Sequence, residues 1–407
     1  MDFNFFSLPS MEDAHIYELS TSPYQAQFYA KSSQFTSGSK KIGIIDQFQG
    51  KRPIVLNREY VVEKKPLEVR IVQTLVLDSH VVDALHRYVS GKGKIDEDTR
   101  IVTRDFLVHV SELNCDYSPL FYLAENWAKS SKEQFIKTSS EKLSSILKLH
   151  CMDERAFIDR NEIIYKPDFV EHYCELYGAR DLDSCGLNWA LSYAENAWFE
   201  EWGNLTKLSY ACLLKMVLIH FMKPGFSSEN ILDKYHEFET FLLNELDLML
   251  GRELNLALYY FSNFAGKFIS VQPNMKTEKA KKNLKSTAWD LLLLRLPEFL
   301  LGPTHLPELN TAYVVTSEDK LLSVGDMFSL ETIFYENKTS QGSPILSFDT
   351  ELFQTVLSKA DLIKAQNQRS KWVQSRASKG KPEHITPQKL DWLIEDLEIQ
   401  LGYLCVS

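Results

Sequence analysis

Two short apolar runs in this chain each close on acid. VRIVQTLVL ends at Asp78, and TAYVVTS ends at Glu318 and Asp319. Both runs are rich in β-branched residues and short enough to be buried strands. Carboxylates at the ends of neighbouring parallel strands meet at one edge of a sheet, where α/β folds form their ligand sites. Converging carboxylates repel one another unless a cation separates them, and a hard divalent ion suits an all-oxygen set. The spacing therefore predicts a metal site and phosphate chemistry.

Other chemistries lack their residues. There is no phosphate-cradling P-loop, no GxGxxG, no GxSxG nucleophile elbow and no HExxH pair. Asp78 is followed by Ser79 and His80, so the Asp-x-Asp of a haloacid-dehalogenase-like phosphatase is missing. The ten histidines are scattered. The six cysteines include no CxxC pair, which argues against a zinc knuckle or a disulfide framework and for a reducing compartment.

The elements that would position the acids can be read outward from them. Asp78-Ser79 is placed to cap a helix through VVDALHRYVSG, ended by Gly91. A strand followed at once by a capped helix opens a βαβ unit. Residues 100–265 read as mostly helical, including an amphipathic DTRIVTRDFLVHVSEL, a segment SPLFYLAENWAKSS with Ser118 as N-cap, and another at 131–150. That is more than one crossover needs and predicts a helical insertion or subdomain. Residues 42–62 read as short strands or a hairpin. Trp289-Asp290 is read as opening an apolar helix that leads to the second strand, and ITPQKLDWLIEDLEIQLGYL as a final helix capped by Thr386.

LVLDSHVVDAL, AWDLLLLR and VVTSEDKLL, in that order, resemble the aspartate motifs of PIN-like nucleases. The resemblance covers about 69–130 and 275–335. It implies a three-layer α/β domain with a mostly parallel sheet. It also implies one or two Mg2+ or Mn2+ ions held by Asp78, Asp290 and Asp319, with Glu318 sharing or replacing the role of Asp319. Thr316 or Ser317 would support a ligand carboxylate by a hydrogen bond. The family's helical glutamate maps best to Glu125, with Glu112 and Glu195 as rivals. His80 departs from the asparagine usual in the family. The implied activity is phosphodiester hydrolysis, directed most naturally at RNA, with Asp78, Glu125, Asp290 and Asp319 as the catalytic set.

Simpler explanations exist for each residue. An Asp after a strand often only caps a helix, and an acid in a first helical turn is favoured by the helix dipole. A helical Glu is commonly exposed or paired.

The net charge of −10 excludes a protein that binds nucleic acid by its overall field. Two basic stretches remain as local candidates. KTEKAKKNLK precedes Asp290 and offers Lys279, Lys282 and Lys285 as backbone contacts. KAQNQRSKWVQSRASKGK offers Arg369 and Lys371 beside Trp372, which suits base stacking. A solvated helix face and a surface loop are the ordinary alternatives.

Hydrophobic content of 44% and charged content of 25% are those of a globular chain. The first twenty residues carry acids but no Lys or Arg, unlike a signal or transit peptide. No uncharged run reaches the roughly 18 residues of a membrane span. A cytoplasmic protein with no membrane association is expected. The expected organisation is a leader with short strands at 1–68, an α/β domain at 69–335 with a helical insertion about 131–265, and a basic segment and helix at 336–407. The alternative functions are a catalytically idle PIN-like subunit of a larger assembly, or a metal-dependent phosphatase. A protein partner or homo-oligomer fits the first of these.

Overall fold

The run RIVQTLVL forms the central strand, β4 (Arg70–Leu77), because its side chains alternate between two buried faces. Leu75 and Leu77 enter one core and Val76 enters the other. The computed structural model describes residues 34–51, 54–57, 62, 70–113, 115–195, 198–302, 308–336, 341–348, 354–355, 357–361, 363 and 385–405.

The main sheet has five strands. β4 pairs in parallel with β5 (Asp116–Ser118) on one side and with β6 (Glu308–Thr316) on the other. β6 pairs antiparallel with β2 (Lys40–Ile45), which pairs with β1 (Gln34–Ser37). The order is β1-β2-β6-β4-β5. The register sets Leu77 of β4 opposite Val315 of β6, so both strands reach the same edge together. A smaller sheet joins β3 (Ile54–Leu56), β7 (Phe328–Glu336) and β8 (Gln341–Phe348).

Between β4 and β6 the regular elements among the described residues are helices, apart from β5 and an isolated bridge between Met152 and Tyr165. α1 (Ser79–Ser90) and α2 (Glu97–Ser111) precede β5. After it come α3 (Leu120–Lys129), α4 (Lys132–His150), α5 (Glu154–Arg160), α6 (Pro167–Leu176) and α7 (Leu182–Ala194). α8 (Trp198–Met222), α9 (Ser228–Asn244), α10 (Gly251–Phe261) and α11 (Thr277–Phe299) follow. A single turn, α12 (Asp319–Leu322), trails β6, and α13 (Pro387–Leu404) ends the described chain.

Both faces of the main sheet are covered. One core packs Leu75, Leu77, Ile44 and Val315 against α1 and α2, with residues of the small sheet. The other packs Val76, Ile45 and Val314 against α8, α10, α11 and α13. Coverage on both faces explains why β4 and β6 carry consecutive buried apolar residues, Leu75-Val76-Leu77 and Tyr313-Val314-Val315, without alternation. The segment Trp202–Met222 of α8 is long and apolar enough to cross a membrane, but 61% of its most apolar window is buried within the protein. Its apolarity is therefore accounted for by the core of a mixed α/β fold.

Several local expectations change. Of the two readings of residues 42–62, the short strands hold among the described residues as β2 and β3, which belong to different sheets and so do not pair as a hairpin. β2, expected in a leader, is a member of the main sheet. Ser118 lies in β5, and Pro119 holds the N-cap position of α3 without a side-chain cap. Asp290 does not open a helix. α11 begins at Thr277, because the lysines before Asp290 are good helix formers that extend it.

Candidate functional site

Asp78 follows β4 directly and stands at the N-cap position of α1. Its carboxylate makes no cap bond. Instead it accepts a hydrogen bond of 2.7 Å from the Thr316 hydroxyl, across to a residue 238 positions away. The same Thr316 oxygen accepts the Glu318 backbone N–H at 3.1 Å. Thr316 ends β6, so the parallel register brings it beside Asp78. Asp78 is only 5% exposed. Burial raises its pKa; the Thr316 hydroxyl opposes the shift, and Glu318 and Glu125 add to it.

Glu125 comes from the middle of α3. It accepts a 2.5 Å hydrogen bond from Ser79, the residue after Asp78, and pairs with Lys129 one turn on, also at 2.5 Å. The two rivals end helices elsewhere and are exposed: Glu112 at the C-cap of α2 and Glu195 at the C-cap of α7.

Asp290 sits inside α11 and is 6% exposed. Helix-dipole stabilisation does not explain an acid three turns into a helix, since that effect fades within the first turn. Burial pushes its carboxyl up to about 7; Lys320 holds it down, while Glu318 and Asp78 push it further up. Lys320 Nζ lies 2.6 Å from an Asp290 oxygen and 3.1 Å from Glu318. Burial works to lower the Lys320 pKa, but Asp290 and Glu318 outweigh it and raise it. Glu318 also faces His80, at 3.6 Å.

Asp319 is not part of this group. Its side chain is 80% exposed and pairs with Lys41 of β2. Glu318 still lies on the extended exit from β6, whereas Asp319 begins α12. The change of backbone geometry sends the two neighbours in different directions. Of the two acids at the second strand end, the structure brings in Glu318.

Asp78, Glu125, Asp290 and Glu318 therefore meet at one sheet edge, from four separate elements. The resemblance noted in the sequence implies Mg2+ or Mn2+ at such a place. The donors are hard carboxyl oxygens, buried on Asp78 and Asp290 and half-buried on Glu125 and Glu318, which is the donor type those ions take. The side chains do not converge on one point: among the described residues no group of three or more His, Cys, Asp or Glu is arranged to hold a metal ion. Each acid is engaged by a protein donor, and Lys320 lies against two of them. The set fits a divalent ion by donor type, with Lys320 as its competitor.

Sequence reasoning alone misses Lys320, although it stands immediately after the two acids. It also misses Ser79 and Lys129, and an acid–lysine spacing of four on α3 is the available sign for Lys129.

The expected backbone contacts divide. Lys279 and Lys282 are exposed on α11. Lys285 is held by Glu398 of α13 at 3.2 Å, above the Tyr210 ring. Arg369 and Lys371 lie outside the described residues. Lys279 is eleven residues before Asp290, so about 17 Å along α11 and close to the same azimuth.

In comparisons with known proteins, the chain matches no family model, no curated protein and no solved structure.

Proposed function

We propose that this chain is a metal-dependent phosphodiester hydrolase of PIN-like type, acting on RNA. The observation that carries the reading is the meeting of Asp78, Glu125, Asp290 and Glu318 at the shared end of β4 and β6. Two simpler explanations are weakened: Asp78 does not cap its helix, and Asp290 is not at a helix start. Glu125 is paired with Lys129, as a helical Glu commonly is, and also accepts from Ser79 at the strand end.

Asp78, Asp290 and Glu318 would hold Mg2+ or Mn2+, with Glu125 completing the set through its place beside Ser79. When bound, such an ion supplies an activated water and charge stabilisation at the phosphodiester. The chain's own residues do the positioning. Thr316 orients Asp78 and, through its contact with the Glu318 amide, the start of the acid pair. Lys129 and Ser79 fix Glu125. Lys320 places positive charge beside Glu318, where a phosphate oxygen would approach, and the His80 imidazole lies 3.6 Å from the same acid. Lys279 and Lys282 extend an exposed basic track towards Asp290 for a nucleic-acid backbone.

The test is cleavage of labelled single-stranded RNA with Mn2+ or Mg2+. Asp78→Asn is expected to reduce cleavage at least about 100-fold, the scale of losing one preorganised charged group, with an unchanged circular dichroism spectrum. Full cleavage by this variant would sink the assignment. DNA and nucleotides run in parallel separate a nuclease from a phosphatase.

One observation favours a second reading. Lys320 neutralises Asp290 and Glu318 from within the chain, as in a site kept for structure and no longer for catalysis. In that case the protein serves an assembly, and no divalent ion alters its stability.

A further inference from the structure

We propose that Lys320 is the resident counter-cation of the acidic cluster, and that a divalent metal enters only by displacing its ammonium from Asp290 and Glu318. The inference rests on the metal-site reading above and concerns how that site is controlled.

Lys320 touches both acids at once, 2.6 Å from Asp290 and 3.1 Å from Glu318. These come from different elements, α11 and the exit of β6. The ammonium therefore serves as the bridge a divalent ion would make. Its donors are three N–H groups with one positive charge, whereas Mg2+ or Mn2+ would bring two charges and would be held by the carboxyl oxygens of the same acids. Both cations cannot hold the same oxygens, since their mutual repulsion in a half-buried place is strong.

The lysine is built to leave. It lies on the second residue of a one-turn helix, and its side chain is 28% exposed. Its long flexible stem can turn the charge towards solvent while the stem stays packed. Asp290 has no such freedom, being 6% exposed inside a helix. Displacement would leave the Lys320 charge free beside Glu318, where an anionic phosphate would gain from it. Metal and a phosphate-bearing ligand are then expected to bind with positive coupling, each raising the affinity for the other.

The experiment is titration calorimetry of the chelator-treated full chain with MnCl2, comparing the native protein with Lys320→Met and Lys320→Arg. Lys320→Met is expected to bind Mn2+ about 10-fold more tightly or better, the scale of removing one charge competitor. Lys320→Arg is expected to show no gain. Thermal melts supply a second readout. Without metal, Lys320→Met melts lower than the native chain, and Mn2+ raises its Tm by more. Lys320→Gln replaces the methionine variant if the latter gives no cooperative melt. Equal Mn2+ affinity in native and neutral variants overturns the role of Lys320 and leaves the metal site standing. Absence of Mn2+ binding in every variant removes the metal site itself, and the inference with it. Binding seen only in the neutral variants means that Lys320 excludes the metal from the native chain, which overturns entry by displacement.

Discussion

Asp78 holds the N-cap position of α1, yet its carboxylate turns from the helix amides to the Thr316 hydroxyl. A capping acid gains by sharing unsatisfied backbone N–H groups. Asp78 forgoes that bond and is buried beside other acids. Such an arrangement raises the free energy of the charged form and is typical of functional positions. Asp290 shows the same cost more clearly, with burial lifting its carboxyl to about 7 from an ordinary 3.8. The consequence for stability has a definite sign. A carboxyl with a raised folded pKa holds its proton better folded than unfolded. Its contribution is fully present below about pH 4 and is lost as pH rises to about 7. In metal-free protein, this group alone lowers stability across that window by an amount on the order of a few kcal/mol. Asp290→Asn removes the dependence. Urea unfolding at pH 5, 6, 7 and 8, in chelator, is expected to show native stability falling with pH and a flatter profile for the variant. The variant should equal or exceed the native chain at pH 8. Parallel profiles for the two proteins would mean that Asp290 is not the titrating group.

The strands are legible in the sequence because strand physics is local. β4 and β6 each carry a short apolar stretch near their end, Leu75-Val76-Leu77 and Tyr313-Val314-Val315, and stop with it or one residue later. α1 is legible through its N-cap position and Gly91, whose positive φ of 63° suits a helix terminus. α13 is legible through Thr386 and Pro387. What the sequence does not carry is direction and partnership. Nothing local says that β2 joins β6 while β3 joins β7, because that choice is made by the two buried faces together. Nothing local sends Glu318 inward and Asp319 out to Lys41, since that turns on where β6 stops and α12 starts. Pattern alone places the start of α11 too late because a lysine-dense stretch looks like surface, and it is surface and helix at once. That continuity has a use: one rigid element carries both the exposed lysines and the buried Asp290. Exchanging Lys279 and Lys282 for Glu is therefore expected to weaken binding of a single-stranded RNA without changing Mn2+ binding. For every phosphate these lysines no longer neutralise, the slope of log K against log salt should flatten by about 0.7. Fluorescence anisotropy across a salt series reads this directly, and an unchanged slope would remove these lysines from the interface. Lys285 is a poorer target, since Glu398 already holds it.

At the scale of the whole molecule, the helical section serves both faces of the sheet: α8, α10 and α11 pack on one, while α3, α4 and α7 add Leu123, Phe135, Leu143 and Ala190 to the core on the other. Ile45, Val76 and Val314 of the sheet share a core with Leu213, Leu214 and Val217 of α8 and with Leu291 and Leu294 of α11. The site edge is therefore held from both sides of the sheet. A charged network pins α8, α10 and α11 to the rest of the chain. Arg252 of α10 pairs with Glu298 of α11 and reaches Gln47 at 3.2 Å, while Gln47 donates to the Leu294 carbonyl at 2.7 Å. Arg252 also lies over the Phe328 ring at the start of β7, 4.5 Å from its centroid. Arg295 pairs with Glu253, which is 1% exposed, and Ser209 of α8 donates to the same acid at 3.2 Å. These interactions join α8, α10, α11 and β7 just beyond the turn that carries Asp290. Buried ion pairs add little net stability over well-packed apolar residues, but breaking one strands a charge and costs about 3–5 kcal/mol. Arg295→Met is expected to lower stability by that amount, because Glu253 keeps its burial and loses its counter-charge. Adding Glu253→Gln should restore most of the loss, since the stranded charge is then gone. Denaturant titration of native, single and double variants measures both steps as a double-mutant cycle. If the double variant is no better than Arg295→Met, packing of the guanidinium and not its charge holds the helices together. If it recovers, the network is a device for alignment: it sets the depth of α11 against the sheet, and with it the distance of Asp290 from Asp78.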